Sequence, residues 1–548
     1  MPKTKYIFIS GGVLSGLGKG AITASLSLLL KAHGYQVMPL KCENYLNLDA
    51  GLINPIEHGD PFLCEDGAET DMDIGTYERF LDINLGRENF ITMGQIYKTV
   101  IDKERNFFYR GEDVEAIPHV TDEIISRIKK VAETSQAEIV IVELGGTAGE
   151  YQNALYYEAA RIMKLKYQDT VVHVHVSYLP TPPHLGEPKT KPTQLSVKLL
   201  NSMGIQPDFI VARADRMIDG RRTERFALFC NVVPGHIISA PDVENILELP
   251  LVLEKQQFSF KILAQLGLSQ TPAKLSQWRR LVQLIKQPKK QTVTIGIVGK
   301  YFATGDYHLT DSYAALIEAI NHAVWRQKVS LNLKQLNAEK IIGHAQDFLA
   351  DCDGIIVPIG WGPRGVDGML EAIQYARENK IPYLGLCFGM QLAVVEFSRH
   401  VCHLAKAHST EVDPKTPDPV IHMIPEQERN MKARAYGGTM RLGAWDCRVV
   451  PDTLAYQAYQ TTLTSERHRH RYEFNQAYLK QLTKAGLVIS GRSVKENLVE
   501  IIELPQKDHP FFLGTQGHPE YKSRPLKPHP LFLKFISACS EYRRGVKS

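Results

Sequence analysis

The clearest chemical feature of this sequence is a cysteine enclosed by glycines between an apolar strand and an apolar helix. Pro382–Leu386 predicts a buried strand, and Cys387 follows it with Gly385 and Gly389 on either side. A tight strand-to-helix turn needs small neighbours, and a helix start favours the thiolate form of a cysteine. A structural cysteine in a core would not require both glycines. The pattern therefore predicts a cysteine nucleophile.

A histidine far downstream offers the proton-transfer partner that such a nucleophile needs. The segment Gln516-Gly-His518-Pro-Glu520 places a carboxylate two residues after the histidine, where it can orient the imidazole ring. A lone His-x-Glu pair is a weak signal. Combined with the cysteine turn, it predicts catalytic residues Cys387, His518 and Glu520.

A second chemical feature is a glycine-rich loop between the first predicted strand and the first predicted helix. Gly11–Gly20 carries Lys19, and backbone N–H groups at a helix start bind phosphate. The spacing departs from the standard P-loop, because Val13 replaces the first glycine and Gly20 replaces the usual Ser or Thr. Alone, such a loop is as often structural as functional.

Carboxylates later in the chain favour the phosphate interpretation. Glu65–Asp73 groups acids around a glycine, and Glu143 ends an apolar run. A magnesium nucleotide needs hard oxygen ligands, of which one or two carboxylates usually suffice. The acidic run could also be a solvated loop, whereas an unpaired Glu143 would be costly to bury. Together with the loop, these acids predict a site for a magnesium nucleotide.

The elements that must position these residues alternate between apolar strands and helices. All-apolar runs suit parallel strands covered on both faces, and ligands bind at the carboxyl ends of such strands. We therefore predict an α/β protein with two doubly wound domains. The predicted strands are 6–10, 138–143, 170–176, 209–212, 293–299, 354–358 and 382–386, with a helix over 21–32 after the first strand.

One seam divides the chain of 548 residues. Lys286–Gln291 is polar, contains a proline and has no periodicity, and a new apolar strand follows it at once. We predict a first domain over 1–270, a linker over 271–291 and a second domain over 292–548.

Composition excludes several classes of protein. A net charge of +4 is too small to argue for nucleic acid, and no apolar run reaches the length of a membrane helix. The N-terminal apolar stretch runs into glycines and lacks a signal-peptide cleavage pattern. Eight irregularly spaced cysteines without a CxxC pair predict neither a disulfide framework nor a zinc site. We expect a cytoplasmic protein with no nucleic-acid or membrane partner.

The first domain resembles CTP synthase over long segments that occur in the same order. These segments are Gly11–Gly20, 66–73 (DGAETDMD), 77–85 (YERFLDINL), 189–194 (KTKPTQ), 227–232 (ALFCNV) and 238–246 (ISAPDVENI). The resemblance implies a P-loop-like, Rossmann-like amidoligase domain. ATP would phosphorylate the 4-oxygen of UTP, and ammonia would then displace the phosphate.

The resemblance also implies roles for individual residues. Asp73 and Glu143 would hold Mg²⁺, His58 would line an ammonia passage, and the protein would assemble as a homotetramer with GTP as an allosteric activator. ATP would contact Ser15, Gly16, Leu17, Gly18, Lys19, Gly20, Lys41, Asp73, Asp242 and Val243. UTP or the inhibitor CTP would contact Ser15, Glu150, Gln152, Lys189, Thr190, Lys191, Gln194 and Arg225.

The second domain resembles the class I glutamine amidotransferases. The resemblance implies that Cys387 forms a thioester with the side chain of L-glutamine and releases ammonia. Gly360 and Phe388 would supply the N–H groups of the oxyanion hole, and Gln391, Glu411 and Arg471 would bind glutamine. Glu466–Tyr472 is basic enough to suggest nucleic acid, but it matches the glutaminase signature.

Several segments depart from the usual CTP synthase pattern. Gln152 replaces an acid near the pyrimidine-nucleotide site, which puts CTP inhibition in question. Arg225 replaces a lysine that usually contacts UTP, and the two side chains differ in phosphate geometry. Arg105–Gly111 differs in the loop associated with GTP activation. Ile359 replaces a glycine before the oxyanion segment, and isoleucine disfavours positive φ.

Three alternatives to a complete enzyme follow from these departures. The chain could aminate a different pyrimidine-like carbonyl, act as a non-catalytic nucleotide-binding paralogue, or use free ammonia only. The chain keeps the candidate residues of both sites, and this argues against the non-catalytic alternative. These residues are Lys19, Asp73, Glu143, Cys387, His518 and Glu520.

Overall fold

The computed structural model describes residues 4–55, 59–302 and 312–546. Contacts within the chain define two compact units. Unit 1 comprises Met1–Leu48 and Asp73–Val282, and unit 2 comprises Asp49–Met72 and Gln283–Ser548. No helix in the described ranges is long and apolar enough to cross a membrane.

The strands of the described residues agree with every strand predicted from apolar runs. In chain order they are β1 Lys5–Gly12, β2 Val37–Glu43, β3 Phe62–Leu63, β4 Glu69–Thr70, β5 Phe90–Thr92, β6 Ile139–Leu144, β7 Val171–Tyr178, β8 Phe209–Ala214, β9 Ile237–Pro241, β10 Thr292–Gly299, β11 Ser330–Asn337, β12 Gly354–Val357, β13 Tyr383–Leu386, β14 Ala407–Ser409, β15 Asp418–Met423, β16 Arg441–Val449, β17 Leu463–His470, β18 Tyr472–Phe474, β19 Val488–Ser493, β20 Val499–Glu503 and β21 Phe512–Thr515.

The α-helices of the described residues separate these strands. They are α1 Lys19–Ala32, α2 Met72–Leu81, α3 Met93–Arg105, α4 Thr121–Ser135, α5 Ala154–Lys166, α6 Lys191–Ser202, α7 Gly220–Cys230, α8 Leu249–Lys255, α9 Phe258–Gln265, α10 Ser276–Lys286, α11 Ala314–Gln327, α12 Ala345–Leu349, α13 Val366–Glu378, α14 Phe388–His400, α15 Pro425–Lys432, α16 Leu454–Tyr459, α17 Leu479–Lys484 and α18 Pro530–Val546. Helix α10 lies within the predicted linker, and its Trp278 is buried against Phe80 of unit 1.

Unit 1 is built on a seven-stranded sheet in the order β5-β2-β6-β1-β7-β8-β9. Each neighbouring pair is parallel, and β1 is held between β6 and β7. Because the central strands are buried along their whole length, their sequences are apolar at successive positions. The predicted doubly wound architecture of the first domain is confirmed.

Two histidines in β7 have a structural role in this sheet. His173 and His175 both hydrogen-bond Ser10, and His175 also bonds Ser196 of α6 at 2.7 Å. Burial lowers the pKa of each histidine to about 3, so both rings are neutral. The chain of bonds ties α6 to the centre of the sheet.

Unit 2 contains a nine-stranded mixed sheet in the order β11-β10-β12-β13-β21-β20-β19-β16-β17. The run from β11 to β21 is parallel, and the remaining strands pair antiparallel. The apolar side chains on its two faces form separate clusters around Ile356 and Val357. The parallel half presents the ends of β10, β12, β13 and β21 at one edge.

Buried ion pairs hold the early segment Asp49–Met72 within unit 2. Nε of Arg467 donates to Glu65 at 2.9 Å, and Nε of Arg469 donates to Glu69 at 2.7 Å. Arg469 and Glu69 are about as buried as core residues, with 3% and 2% of their side chains exposed. An ion pair at this depth is costly to break, because the remaining charge has lost its water.

We predict that Arg469→Met destabilises unit 2 by about 3–5 kcal/mol, because Glu69 would stay buried without its partner. Urea unfolding followed by tryptophan fluorescence measures this, since Trp325, Trp361 and Trp445 lie in unit 2. Arg448→Met is the matched control, because Arg448 is exposed on the neighbouring strand β16. Equal urea midpoints for the two variants would contradict the prediction.

Candidate active sites

The phosphate-loop residues lie at the carboxyl end of β1, at the centre of the unit 1 sheet. Ser15 and Gly16 are exposed, whereas Lys19 is buried in the first turn of α1. Gly18 precedes the helix at φ 91° and no side chain caps it. Uncapped N–H groups at a helix start, next to a lysine, form a site suited to phosphate.

Close packing explains why the loop ends in Gly20 rather than Ser or Thr. A Cβ at Gly20 would lie 1.9 Å from Oδ1 of Asp73, so a larger residue would displace the Asp73 carboxylate from its present position. Val13, at the place of the first P-loop glycine, has φ 85°. A β-branched residue in this region stores strain of about 1–3 kcal/mol, a feature that clusters at functional sites.

Lys41 lies at the centre of the carboxylates that the sequence singled out. Its Nζ donates to Glu143 at 2.8 Å and to Asp73, and it lies 3.2 Å from Glu43. Lys19 donates to the carbonyl of Gly146 at 2.7 Å, and both burial and the nearby Lys41 lower its pKa. The structure therefore brings Lys19, Lys41, Asp73 and Glu143 to one edge of the sheet.

Two further residues belong to this cluster and were not predicted. Burial raises the pKa of Glu43, against the opposing effect of Lys41, and Tyr77 donates a hydrogen bond to Glu143. Glu43 could have been predicted from the sequence, because it is a carboxylate at the end of strand β2. Within the described residues, no group of three or more His, Cys, Asp or Glu could hold a metal ion by itself. The hard oxygens of Asp73 and Glu143 nevertheless suit Mg²⁺ that is shared with a nucleotide.

Asp242 and Val243 follow β9 at the same edge of the sheet. Arg213, at the end of β8, donates to Asp242 at 3.0 Å and to the carbonyl of Leu17 at 3.2 Å. This guanidinium therefore joins the phosphate loop to the residues expected near adenine. Sequence patterns gave no signal for Arg213, because the contact depends on which strands are neighbours.

The residues expected to bind a pyrimidine nucleotide fall into two groups. Glu150 and Gln152 are exposed after β6, and Gln152 lines a cavity of about 610 Å³ with Tyr45 and Tyr97. Lys189, Thr190, Lys191 and Gln194 lie at the start of α6, where Gln194 donates to Thr190 at 3.1 Å. Arg225 is exposed on α7. His58 lies outside the described residues.

Cys387 occupies a strained turn between β13 and α14 in unit 2. Its φ is 51° and its ψ is −100°, a conformation rare for residues other than glycine. A Cβ at Gly389 would lie 1.9 Å from the carbonyl oxygen of Val357, which confirms that the turn needs a glycine there. The Sγ atom accepts a hydrogen bond from Gln516 at 3.4 Å. The sequence motif around His518 includes Gln516 but indicated no role for it.

His518 and Glu520, the other two predicted catalytic residues, lie near this cysteine. Nδ1 of His518 lies 2.7 Å from Oε1 of Glu520, and both side chains are buried. Burial alone would lower the pKa of His518, but the opposing effect of Glu520, with Cys387 nearby, outweighs burial and raises the pKa to about 10. The imidazole is therefore protonated at neutral pH and can act as an acid.

The predicted oxyanion segment follows β12. Gly360 and Phe388 are both buried, and the N–H of the nearby Gly362 donates to Glu411 at 2.8 Å. Ile359 does not have a positive φ, and its side chain is 2% exposed in the core. The expected conflict between Ile359 and the backbone therefore does not occur in this conformation.

Two of the three residues expected to bind glutamine line a cavity of about 400 Å³ in unit 2. Glu411 and Arg471 line it, together with Trp361, Tyr436 and Tyr472. Gln391 is instead held by the carbonyl of Tyr472 at 3.0 Å and by Gln516 at 3.1 Å. It is not among the residues that line this cavity.

Comparisons with known proteins find a match for each half of the chain. The family model described as "CTP synthase N-terminus" matches residues 5–268, and the one described as "Glutamine amidotransferase class-I" matches residues 308–538. A CTP synthase from Caldanaerobacter subterraneus is 49% identical over 536 residues, which is 97% of this chain and 98% of the relative. The chain belongs to the CTP synthase family.

A second relative is similar over nearly the whole chain, and one solved structure is similar over part of it. The enzyme from Carboxydothermus hydrogenoformans is 48% identical over 98% of this chain and 98% of its own. A solved structure of the glutaminase domain of Trypanosoma brucei CTPS with bound acivicin is 37% identical, with a TM-score of 0.42. It covers 45% of this chain and 94% of that chain.

We predict that Glu520→Gln lowers the pKa of His518 and destabilises unit 2 by about 3–5 kcal/mol near pH 6.5. A raised pKa stabilises the folded state below the unfolded histidine pKa of about 6.5, and this contribution is lost as the pH rises towards 10. The stability difference from wild type should therefore shrink across this window. Urea unfolding from pH 6.5 to 10 measures it.

The control for this prediction is Glu541→Gln, since Glu541 is exposed on α18. Its stability difference from wild type should be near zero and independent of pH. A constant difference for Glu520→Gln across the same range would contradict the assignment of Glu520 as the partner of a protonated His518.

Proposed function

We propose that this chain is a complete glutamine-hydrolysing CTP synthase, which aminates UTP to CTP with ATP and with ammonia from L-glutamine. The observation that carries the proposal is the presence of both assemblies in one chain. Lys19, Lys41, Asp73 and Glu143 lie together in unit 1. Cys387, His518 and Glu520 lie together in unit 2.

The residues of unit 2 suit amide hydrolysis through a thioester. Sγ of Cys387 attacks the carboxamide carbon of glutamine, while N–H groups of Gly360 and Phe388 stabilise the developing oxyanion. His518 gives a proton to the departing ammonia. His518 then takes a proton from water, which attacks the thioester and releases glutamate. Glu411 and Arg471 hold the amino acid group of the substrate.

The residues of unit 1 suit phosphoryl transfer followed by amination. The terminal phosphoryl group of ATP passes to the 4-oxygen of UTP, and ammonia then adds at that carbon as phosphate leaves. Lys19 and Lys41 stabilise the negative charge on the transferred group. Asp73 and Glu143 would hold Mg²⁺, which supplies positive charge at the phosphate oxygens. Ser15–Gly20 binds the phosphates, and Asp242 and Val243 lie near the adenine.

UTP binding is assigned to residues at the start of α6 and on α7. Lys189, Thr190, Lys191, Gln194 and Arg225 are cationic or polar, as a triphosphate requires. We propose that these residues act across a subunit interface of a cytoplasmic homotetramer. His58 is proposed for the ammonia passage, and GTP is proposed as an activator despite the altered loop at Arg105–Gly111.

The functional domains are proposed at 1–270 and 292–548, with a linker over 271–291. The two family matches, at 5–268 and 308–538, support this division. The compact units differ from it at Asp49–Met72, which lies in sequence between Lys41 and Asp73 but packs within unit 2.

We predict that Cys387→Ala abolishes CTP formation with glutamine and preserves it with ammonium, because only glutamine needs the thiol. The measurement is CTP formation from UTP and ATP with Mg²⁺, run in parallel with each nitrogen source. Lys19→Ala is the contrasting variant and should lose activity with both. Equal loss with both donors for Cys387→Ala would overturn the assignment of separate sites, and ligation by Lys19→Ala would overturn the phosphate-loop assignment.

We predict that CTP inhibits the wild-type chain weakly and that Gln152→Glu strengthens the inhibition by about tenfold. An acid at this position accepts hydrogen bonds from ribose hydroxyls more strongly than an amide does, and a charged hydrogen bond is worth about 1.5–3 kcal/mol. Initial rates with ammonium at increasing CTP measure the effect. Gln168→Glu, an exposed change in the same unit, controls for added charge. Tight inhibition of the wild type would show that Gln152 has no such role.

A further inference from the structure

Lys300 is a buried lysine of unit 2 to which the proposed chemistry assigns no role. It directly follows β10 and is 1% exposed. A lysine is almost never fully buried unless its charge is compensated by specific partners. The partners of Lys300 therefore indicate what the residue does.

Those partners belong to the oxyanion segment. Nζ of Lys300 donates to the carbonyl of Trp361 at 2.9 Å and also to the carbonyl of Gly362. The side-chain stem passes directly beneath Gly360, because a Cβ there would lie 2.6 Å from Cδ of Lys300. One ammonium group thus holds the carbonyls of the two residues that follow Gly360.

The backbone of Lys300 helps to fix the peptide before Gly360 as well. Its N–H donates to the hydroxyl of Tyr313 at 3.2 Å, and this hydroxyl donates to the carbonyl of Ile359 at 3.1 Å. In a trans peptide the carbonyl and the following N–H point in opposite directions. Anchoring the carbonyl of Ile359 therefore sets the direction of the Gly360 N–H.

The same ammonium group contacts the second proposed donor segment. Nζ of Lys300 lies 4.6 Å from the centre of the Phe388 ring, within the range of a cation–π interaction. Phe388 follows Cys387 and begins α14. Lys300 thus links the two segments whose N–H groups form the proposed oxyanion hole.

We propose that Lys300 is a positioning residue of the glutaminase, which holds the Gly360–Gly362 segment against Phe388 so that both N–H donors face the oxygen of the tetrahedral intermediate. This inference rests on the proposed function of unit 2. Burial lowers the pKa of Lys300 to about 8, opposed by Glu411, so the group is still mainly charged at neutral pH. Its positive charge would add to the stabilisation of the oxyanion.

The test compares wild type with Lys300→Met, which keeps the length of the stem and removes the charge and the donors. We expect kcat for glutamine hydrolysis to fall about 100-fold, as for loss of one oxyanion donor, with KM changed less than about threefold. CTP formation with ammonium should equal that of wild type. Lys340→Met, an exposed change in the same unit, should leave all three values unchanged.

A second probe separates positioning from general damage to unit 2. L-Glutamate γ-semialdehyde adds to a cysteine thiolate, and the oxygen of the adduct occupies the oxyanion hole. Its inhibition constant should rise about 100-fold in Lys300→Met, in step with the loss of kcat. Inhibition by the product L-glutamate, which forms no adduct, should stay within about threefold.

The outcomes distinguish a failure of the proposed function of unit 2 from a failure of the proposed role of Lys300. Wild type that hydrolyses no glutamine would overturn the proposed function before any variant is compared. Unchanged kcat in Lys300→Met would overturn the role of Lys300 alone. The role of Lys300 would also be overturned if inhibition by the semialdehyde and inhibition by L-glutamate weakened equally. A lowered melting temperature of unit 2 that accounts for the lost rate would overturn it too, because either result would show a purely structural role.

Discussion

At both candidate sites a glycine in the first turn of a helix lets a neighbouring group approach closely, the Asp73 carboxylate at Gly20 and the Val357 carbonyl at Gly389. A Cβ at Gly20 would lie 1.9 Å from Asp73, and a Cβ at Gly389 would lie 1.9 Å from the carbonyl oxygen of Val357. These contacts bring the starts of α1 and α14 over the carboxyl ends of parallel strands. The helix N–H groups then face the same edge as the strand-end side chains, so anion binding and nucleophilic chemistry are built from the same geometry.

Buried cations organise the loops around each site, but their partners differ. Lys41 is surrounded by the carboxylates of Glu43, Asp73 and Glu143, so its charge is balanced before a nucleotide binds. Lys300 is held mainly by carbonyl dipoles, which compensate a charge less completely than carboxylates do. In the first arrangement, burial and the neighbouring Lys41 lower the pKa of Lys19, so Lys19 is the cation that gains most from an arriving phosphate. The second places an ammonium group over the ring of Phe388, at the start of α14.

The features predicted from the sequence depend on residues that are close together in the chain. The features that were missed depend on the order of the strands in the sheets. Apolar runs and glycine turns gave the strands, the Cys387 turn and the phosphate loop, because each is encoded within about ten residues. Glu43 and Arg213 join the nucleotide site only because β2 pairs with β6 and β8 lies between β7 and β9. The packing of Asp49–Met72 within unit 2 depends on arginines about 400 residues later in the chain.

The substitution of Ile359 for a family glycine shows why sequence departures need structural context. The residue at 359 has an ordinary negative φ, and its side chain packs with Leu384 and Leu386 in the core. The left-handed conformation of this segment falls at Gly362, where φ is 69° and glycine is retained. The positive φ lies at Gly362 and the substitution lies at Ile359. Isoleucine therefore adds buried apolar surface without backbone strain. The segment can therefore keep its donor geometry while its sequence differs from the family pattern.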